Sequence, residues 1–436
     1  MNPARTDSLS SDYDLVVAGG GAAGFFGAIT FAEACPGSRV VILEKSSQVL
    51  GKVKISGGGR CNVTHACFDP RTLTKFYPRG SKQLIGPFHH WSPTDTMEWF
   101  EGRGVPLKIE EDGRVFPKSD SSQSIMDCLT GAARAAGVVV RTSTAVEAAE
   151  VGQDGTFDLR LSGGERLNAK RLLLTLGGTR NQFGADLAAR FGHRIEEAAP
   201  SLFTFKIADA RLAGLQGLSV PEATVQVRSV EPKLNLQAVG PVLITHWGLS
   251  GPGILKVSAW GARELQKLEY RFDVLVNWCG QLSEPQILLR FDELRVESPR
   301  KCITNDPQFG MPSRLWKCLL ESVLGDGHAD LSELRWPHLP RDLARRLAQE
   351  FGACRFRVDG KSMNKDEFVT CGGVHLGDVQ FKTMESRLVP GLHFAGEILD
   401  IDGVTGGFNF QAAWTTSRLA GEAISAAINS EKALLN

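Results

Sequence analysis

Apolar positions along this chain fall into short runs whose spacing changes from segment to segment. Leu15–Ala18 and Val40–Leu43 are unbroken apolar runs, the pattern of strands buried on both faces. Between them, residues 22–34 are rich in Ala, Phe and Ile with one internal glycine, Gly27, and predict a helix packed closely on a sheet. Ser121–Ala136 predicts a second helix, with Ile125, Cys128, Leu129 and Ala132 on one face and Gly137 closing it. Val138–Val140 is expected as a third parallel strand. Alternating segments near 144–151, 156–162 and 166–176, divided by Gly155 and Gly163-Gly164, predict an antiparallel meander. Residues 66–118, with six prolines, read as irregular apart from a short helix near 93–103.

From about Pro200 the pattern changes. Leu202–Ile207, Ala223–Val230, Val242–Thr245 and Tyr270–Val276 read as strands, and residues 286–350 as mostly helical, most clearly Arg341–Glu350. The chain then returns through Glu367–Val374 and ends in a helix over about Gln411–Ala427. The expected organisation is a polar tail at 1–12, a nucleotide-binding domain from 13–200 and 365–436, an inserted β-rich domain at 201–285 and a mainly helical insert at 286–364.

The first strand runs straight into Gly19-x-Gly21-x-x-Gly24, and the second ends in Glu44. Gly19 permits the tight turn, Gly21 lets a pyrophosphate approach the backbone, and Gly24 lets helix and strand pack closely. The helix start, with Ala22 and Ala23, presents free N–H groups to the phosphates. Glu44 stands where a carboxylate accepts both ribose hydroxyls, and Lys45 follows it. Strand, glycines, helix, second strand and acid in this order predict dinucleotide binding. After Glu44, the stretch around Lys54, Ser56, Gly57, Gly58, Gly59, Arg60, Cys61 and Asn62 reads as a loop with exposed amides. It forms a backbone wall for a flat polar ligand, or else a surface loop.

Composition narrows the class. Lys and Arg number 49 against 49 Asp and Glu, so nothing favours nucleic acid or an acidic membrane surface as partner. No basic stripe is visible in the chain. No apolar run approaches the ~20 residues of a membrane span, and Met1–Asp12 has no signal-peptide core. Nine scattered cysteines without a Cys-x-x-Cys pair suit reduced thiols, and a cytoplasmic location is expected. Cys61-x₃-His65-x-Cys67 is not a usual zinc spacing, so no metal is expected.

A nicotinamide dehydrogenase usually completes its site in one contiguous domain. Here a second glycine-rich element, Gly396-Glu397 and then Asp402 to Asn409, appears only near the chain's end. A large cofactor held at both ends explains that distance and favours FAD. The helix after Gly406-Gly407 is expected to aim its N-terminus at the negative end of a reduced flavin, with Phe408 packed nearby and Asn409 adding a hydrogen bond. Gly177 and Gly178, after the apolar run Leu172–Leu176, suggest another backbone approach.

Gly19–Gly24, Ile55–Asn62, Thr245-His246-Trp247-Gly248-Leu249-Ser250-Gly251-Pro252, Gly372-Gly373-Val374, Thr383–Ser386 with Gly391, and Phe394–Asn409 together resemble the BaiN/YhiN-type flavoproteins, within the group that has a glutathione-reductase-like FAD fold. The likeness covers most of residues 13–425. It implies an α/β fold: a Rossmann-like FAD-binding domain, with parallel sheet and antiparallel meander, carrying an inserted β-barrel-like and helical substrate domain. It also implies an FAD-dependent oxidoreductase, commonly described as NAD(P)/FAD-dependent. The chain departs from the family at Leu176-Gly177-Gly178, at Gly51–Lys54 and at Cys371.

The reaction expected is hydride transfer between flavin N5 and a small organic substrate held between the two domains. No second three-glycine fingerprint is present, so NAD(P)H is expected at most as a transient donor. His246, in a Gly/Pro-bounded loop, is the candidate acid–base residue, the alternative being a loop-bracing histidine. Arg60 is a candidate for the flavin or a substrate anion, the alternative being a loop ion pair. Cys61, beside Arg60, is a weak candidate for a thiolate. The reading from another class is a flavin-binding regulatory or scaffold protein without turnover.

Overall fold

The computed structural model describes residues 13–178, 182–229, 231, 233–324, 333–362 and 369–435. The polar tail at 1–12 and the expected start of the returning segment at 365–368 lie outside the described residues. The chain divides into two compact units, Met1–Ala199 with Val369–Asn436, and Pro200–Phe368.

The first unit is built on a sheet. Its elements are β1 (Tyr13–Ala18), α1 (Ala22–Ala34), β2 (Val40–Leu43), α2 (Gly51–Gly59), α3 (Ser122–Ala135), β3 (Val139–Arg141), β4 (Val146–Val151), β5 (Phe157–Leu161) and β6 (Arg166–Leu174). A returning strand, Leu392–Phe394, and a terminal helix, Phe408–Leu435, complete it. The parallel strands lie in the order β3-β2-β1-β6-returning strand, in register Val16 with Val41, Val17 with Leu173 and Leu173 with His393. Leu15 to Ala18 and Leu172 to Leu174 are fully buried, as central strands covered on both faces must be. β4, β5 and β6 form the expected meander, and the last strand of that meander is also the fourth parallel strand.

Two expectations need correcting. Residues 66–118 are not irregular. They hold helices at Pro70–Leu73, Ser81–His90 and Pro93–Glu101, and a three-stranded antiparallel sheet of Thr64–His65, Arg114–Pro117 and Leu107–Ile109. Pro70 and Pro93 begin helices behind the caps Asp69 and Ser92, where a missing N–H costs nothing. The glycine stretch is not wholly loop either. Helix α2 starts at Gly51 and buries Val53, then breaks where Ser56 turns extended and Gly57 and Gly58 turn left-handed.

Helix α1 and the terminal helix pack against each other through glycines. A Cβ on Gly421 would stand 2.7 Å from Thr30 Cβ and 2.8 Å from the Gly27 carbonyl oxygen, while one on Gly27 would meet Leu173. Side chains there would push the helices apart.

In the second unit, β7 (Ser219–Ser229), β8 (Leu234–Thr245), β9 (Gly248–Ser250), β10 (Phe272–Asn277) and β11 (Cys354–Val358) join two short strands, Thr204–Lys206 and Gly360–Ser362, in one antiparallel sheet. The order is β11-β10-β7-β8-β9, then Thr204–Lys206 and Gly360–Ser362. Only Asp359 separates the strands at the two ends of that order, so one bent segment closes the sheet into a barrel. Val225, Val227, Val274, Val276 and Phe356 fill the interior. Helices Glu284–Glu297, Ser313–Leu324 and Arg341–Gly352 continue the core around Trp278, Trp316 and Trp336.

Gly421→Val is expected to destabilise the protein by about 1–3 kcal/mol through overpacking, read as a lower urea midpoint. An unchanged midpoint would show that the helices separate without cost. A second expectation concerns acid. His393 is buried in the returning strand, and burial pushes its imidazole down to about 3. The unfolded chain takes that proton near pH ~6.5, so the unfolded state binds more protons between the two values. The His393 contribution is complete above ~6.5 and is lost as pH falls toward 3, by up to about 1.4 kcal/mol per pH unit. His393→Phe should flatten the fall in urea midpoint between about pH 7 and pH 5; an unaltered slope would assign the acid sensitivity elsewhere.

Candidate functional site

The glycines of the β1–α1 turn have the geometry their spacing predicts. Gly19 has φ +116°, and a Cβ there would lie 2.4 Å from the Thr175 carbonyl oxygen. A Cβ on Gly24 would lie 1.9 Å from the Gly19 carbonyl oxygen, closer than any side chain permits. Nothing stands within 4 Å of the Cβ position of Gly21, so the backbone there is open to an incoming group. Gly21 caps α1 without a side-chain hydrogen bond, and no acid sits in the first turn. The first amides of α1, those of Ala22, Ala23 and Gly24, therefore keep their positive partial charge for an anion.

Glu44 ends β2 beside this turn. One carboxylate oxygen accepts from the Gly20 amide at 2.8 Å and the other from the Ser46 amide at 2.8 Å. Both oxygens keep lone pairs for ribose hydroxyls. Lys45 is exposed next to it. Thr175, which the sequence reading passed over, donates to the Ala18 and Gly19 carbonyls at 3.0 and 2.9 Å and ties β6 to the turn. Its only sequence signal is a hydroxyl closing an apolar run.

The wall at 54–62 lies in the same unit. Lys54 is exposed, and its carbonyl accepts from Ser122. Ser56 bonds back to the Val53 carbonyl at 3.0 Å. Gly58 and Gly59 have positive φ and open space at their Cβ positions, whereas Gly57 is held against Phe116. Arg60 is in the loop ion pair: it bonds Glu110 at 2.6 Å, reaches Asp120 at 3.4 Å and stacks on Phe116 at 3.9 Å. Its guanidinium is committed within the loop. Cys61 is fully buried, and burial pushes its thiol up to about 12. That corrects the expectation of a thiolate: the nearby arginine charge is spent on carboxylates. Asn62 donates to the Thr64 and Val115 carbonyls and accepts from the Gly407 amide at 3.0 Å when its amide is oriented to satisfy both ends. It joins the wall to the terminal helix.

The returning elements complete the same edge. Gly177 is left-handed and open, and Gly178 lies against Glu397. Gly396, also left-handed, donates to Thr416 at 3.0 Å, and Glu397 accepts from the Thr370 amide at 3.1 Å and pairs with Lys52. Gly406 and Gly407 have φ +127° and +91°, and lead into the terminal helix, whose first-turn amides follow. Three side chains expected at the cofactor have other partners. Asp402 is buried and pairs with Arg79. Asn409 folds back to bond Gly403 twice, at 2.8 and 2.9 Å. Phe408 stacks on Phe76, at 4.4 Å, and on His65, at 4.6 Å, in a three-ring cluster, and its carbonyl accepts from Tyr77. They shape the loop rather than line it. Arg79 carried no motif to find it by.

These elements follow the carboxyl ends of β1, β2, β6 and the returning strand, where open α/β sheets bind their ligands. The open backbone at Gly21, the uncapped amides of α1 and the doubly held Glu44 fit a dinucleotide. His246 stands in the other unit, exposed in the β8–β9 turn. Among the described residues there is no acid, histidine and cysteine group arranged for a metal ion, and no helix long and apolar enough to cross a membrane.

The chain matches the HI0933-like protein Rossmann domain over residues 13–423. It is 28% identical over 416 residues to a 3-dehydro-bile acid delta(4,6)-reductase of Clostridium scindens, covering 93% of this chain and 98% of that one. It is also 28% identical to a ribosomal RNA dihydrouridine synthase of Escherichia coli, covering 93% and 96%. In structure it is similar to a 3-ketosteroid delta1-dehydrogenase of Sterolibacterium denitrificans at TM-score 0.52 and 14% identity, covering 95% and 99%.

Glu44→Ala removes the carboxylate expected at the ribose. FAD retention through dialysis should fall about tenfold or more, the loss of hydrogen bonds to a charged group. Retention equal to wild type would overturn the assignment of Glu44. The geometry of the β1–α1 turn and the match across nearly the whole chain agree: the chain belongs to the HI0933-like Rossmann-domain family and is a flavin-dependent oxidoreductase.

Proposed function

We propose that this protein reduces a carbon–carbon double bond conjugated to a carbonyl. The observation that carries the reading is the agreement between two relatives of equal similarity. One is named for reducing the 4,6-dienone system of a 3-oxo bile acid, the other for converting uridine, whose 5,6 double bond is conjugated to a carbonyl, into dihydrouridine. The substrates differ and the bond change is the same: a hydride and a proton added across the bond.

When bound, FAD supplies the hydride. The chain's own residues supply position. Glu44 fixes the ribose, the open backbone at Gly21 and the amides of α1 take the pyrophosphate, and the amides after Gly406-Gly407 favour negative charge at the other end. Arg60 is not assigned a catalytic role, because its guanidinium is held by Glu110. His246 is proposed to hand over the proton, on its exposure in the β8–β9 turn. NAD(P)H is proposed as the transient electron donor, in keeping with a single dinucleotide turn. A scaffold role without turnover is not favoured, since these relatives are named as enzymes.

The test is anaerobic. Purified protein is bleached with NADH or NADPH, then mixed with a 3-oxo-Δ4 steroid, with cyclohexenone or with a uridine-containing oligonucleotide. Return of oxidised-flavin absorbance with at least one conjugated acceptor, together with the saturated product, is expected. Absorbance that stays bleached with all of them and returns with oxygen alone would refute the proposal.

A further inference from the structure

We propose that Trp247 is a specificity-determining residue of the substrate site: its indole, presented from the β8–β9 turn, is the platform on which the flat conjugated face of the substrate stacks. The inference rests on the conjugated-bond reading above and deepens it. An alkene conjugated to a carbonyl is held planar, and so offers a flat face to a ring.

Trp247 is the most exposed of the chain's eight tryptophans, at 57%. Trp278, Trp316, Trp336 and Trp414 are fully buried. Among the described residues, no aromatic ring or cation stacks on the Trp247 indole, and no protein group accepts from its N–H. A ring left so bare forgoes the burial that stabilises the other four, while both its faces stay available to a ligand.

The backbone beneath the ring is fixed. His246 and Trp247 form a two-residue turn between the paired residues Thr245 and Gly248. The Trp247 amide donates to the Thr245 hydroxyl at 3.2 Å, and that hydroxyl donates to the Gly248 carbonyl at 3.2 Å. The Trp247 carbonyl accepts from the Ile207 amide at 2.9 Å. Gly248 has φ +137°, and a Cβ there would lie 2.4 Å from the Phe205 carbonyl oxygen, so the turn sits directly on its neighbouring strand. An anchored backbone under an uncommitted ring is preorganised, and little freedom is lost when a ligand stacks on it. His246, the proposed proton donor, is the other residue of the same turn and is exposed with it.

The surroundings favour a small ligand over a protein partner. Phe205, Ile244 and Leu249 point into the barrel, so Thr204, Lys206, Leu243, Thr245 and Ser250 on the paired strands point outward. All of these except Leu243 are polar, and Thr204 donates to Ser250 at 2.8 Å. A protein partner would need a contiguous apolar patch of roughly 400 Å² or more around the ring, which these rows do not supply. A flat molecule of ring size needs one face of the indole, and a polar rim suits its carbonyl.

The test uses oxidised, flavin-loaded protein, which binds an enone without reducing it. Equilibrium dialysis compares 4-phenylbut-3-en-2-one, which is flat, with 4-cyclohexylbutan-2-one, which has the same carbon framework and is not. Wild type is expected to hold the flat ketone about fivefold more tightly, the scale of one well-placed aromatic contact. Trp247→Leu keeps an apolar side chain and should abolish that preference, whereas Trp247→Phe should retain most of it. Misfolding would weaken both ketones alike, so the ratio reads the stacking, and the flavin spectrum reports on folding. In turnover with NAD(P)H, Trp247→Leu should raise KM for the flat enone about fivefold and leave kcat within about twofold, the mark of binding shared by ground and transition states. No preference in wild type, or the same preference in folded Trp247→Leu, overturns the inference. Turnover of conjugated acceptors alongside either result leaves the conjugated-bond reading standing. A Trp247-dependent preference without turnover of any conjugated acceptor refutes that reading instead.

Discussion

Everything in the first unit depends on how closely α1 can approach β1. The Gly19 carbonyl lies where a Gly24 side chain would have to be, and Thr175 reaches over from β6 to bond the same turn. Two backbones and a hydroxyl thus meet with no room for a single methyl group. The closeness sets the height of the helix over the sheet, and its first amides stay uncapped because the N-cap, Gly21, has no side chain to offer. A bound anion then supplies the hydrogen bonds that a cap would have made. Stability at this turn and affinity for the cofactor are consequently coupled.

The far end of the site is built in another way. The loop at 402–409 is held by side chains turned inward: Asp402 on Arg79, Asn409 on Gly403, and the Phe408 ring on Phe76 and His65. Asp402 is fully buried, and a charge in that position is tolerable only with its partner in place. Its worth lies in geometry. A loop with Gly406 and Gly407 at its apex has wide conformational freedom, and the ion pair beneath removes most of it. The Asn62 bond to Gly407 adds a brace from the opposite wall.

This division explains what the sequence made legible. The β1–α1 turn, Glu44 and the meander could be read because their constraints act between near neighbours and leave a fixed spacing. Arg79 and Asp402 stand 323 positions apart, and no local pattern joins them. Asn409 looked like a cofactor ligand because polar residues at a helix entry often are; its partner is a backbone group of its own loop. Cys61 looked reactive beside Arg60, but charge on a neighbour matters little once carboxylates hold it and the thiol is buried. Proline density around 66–118 suggested loops, whereas two of those prolines open helices.

The returning strand and terminal helix have a consequence for how the protein is made. β6 needs the returning strand to cover its outer edge, and α1 needs the terminal helix for its glycine face. A ribosome delivers both only after the whole of the second unit. Until then, a nascent chain displays an unpaired edge of apolar residues, the situation in which strands join the wrong neighbour. The barrel unit is one contiguous stretch, but its closing strand, Gly360–Ser362, precedes the returning strand by only about 30 residues. Both units are therefore completed late in synthesis, and shielding of β6 by a chaperone matters through the whole interval in which the second unit is being made.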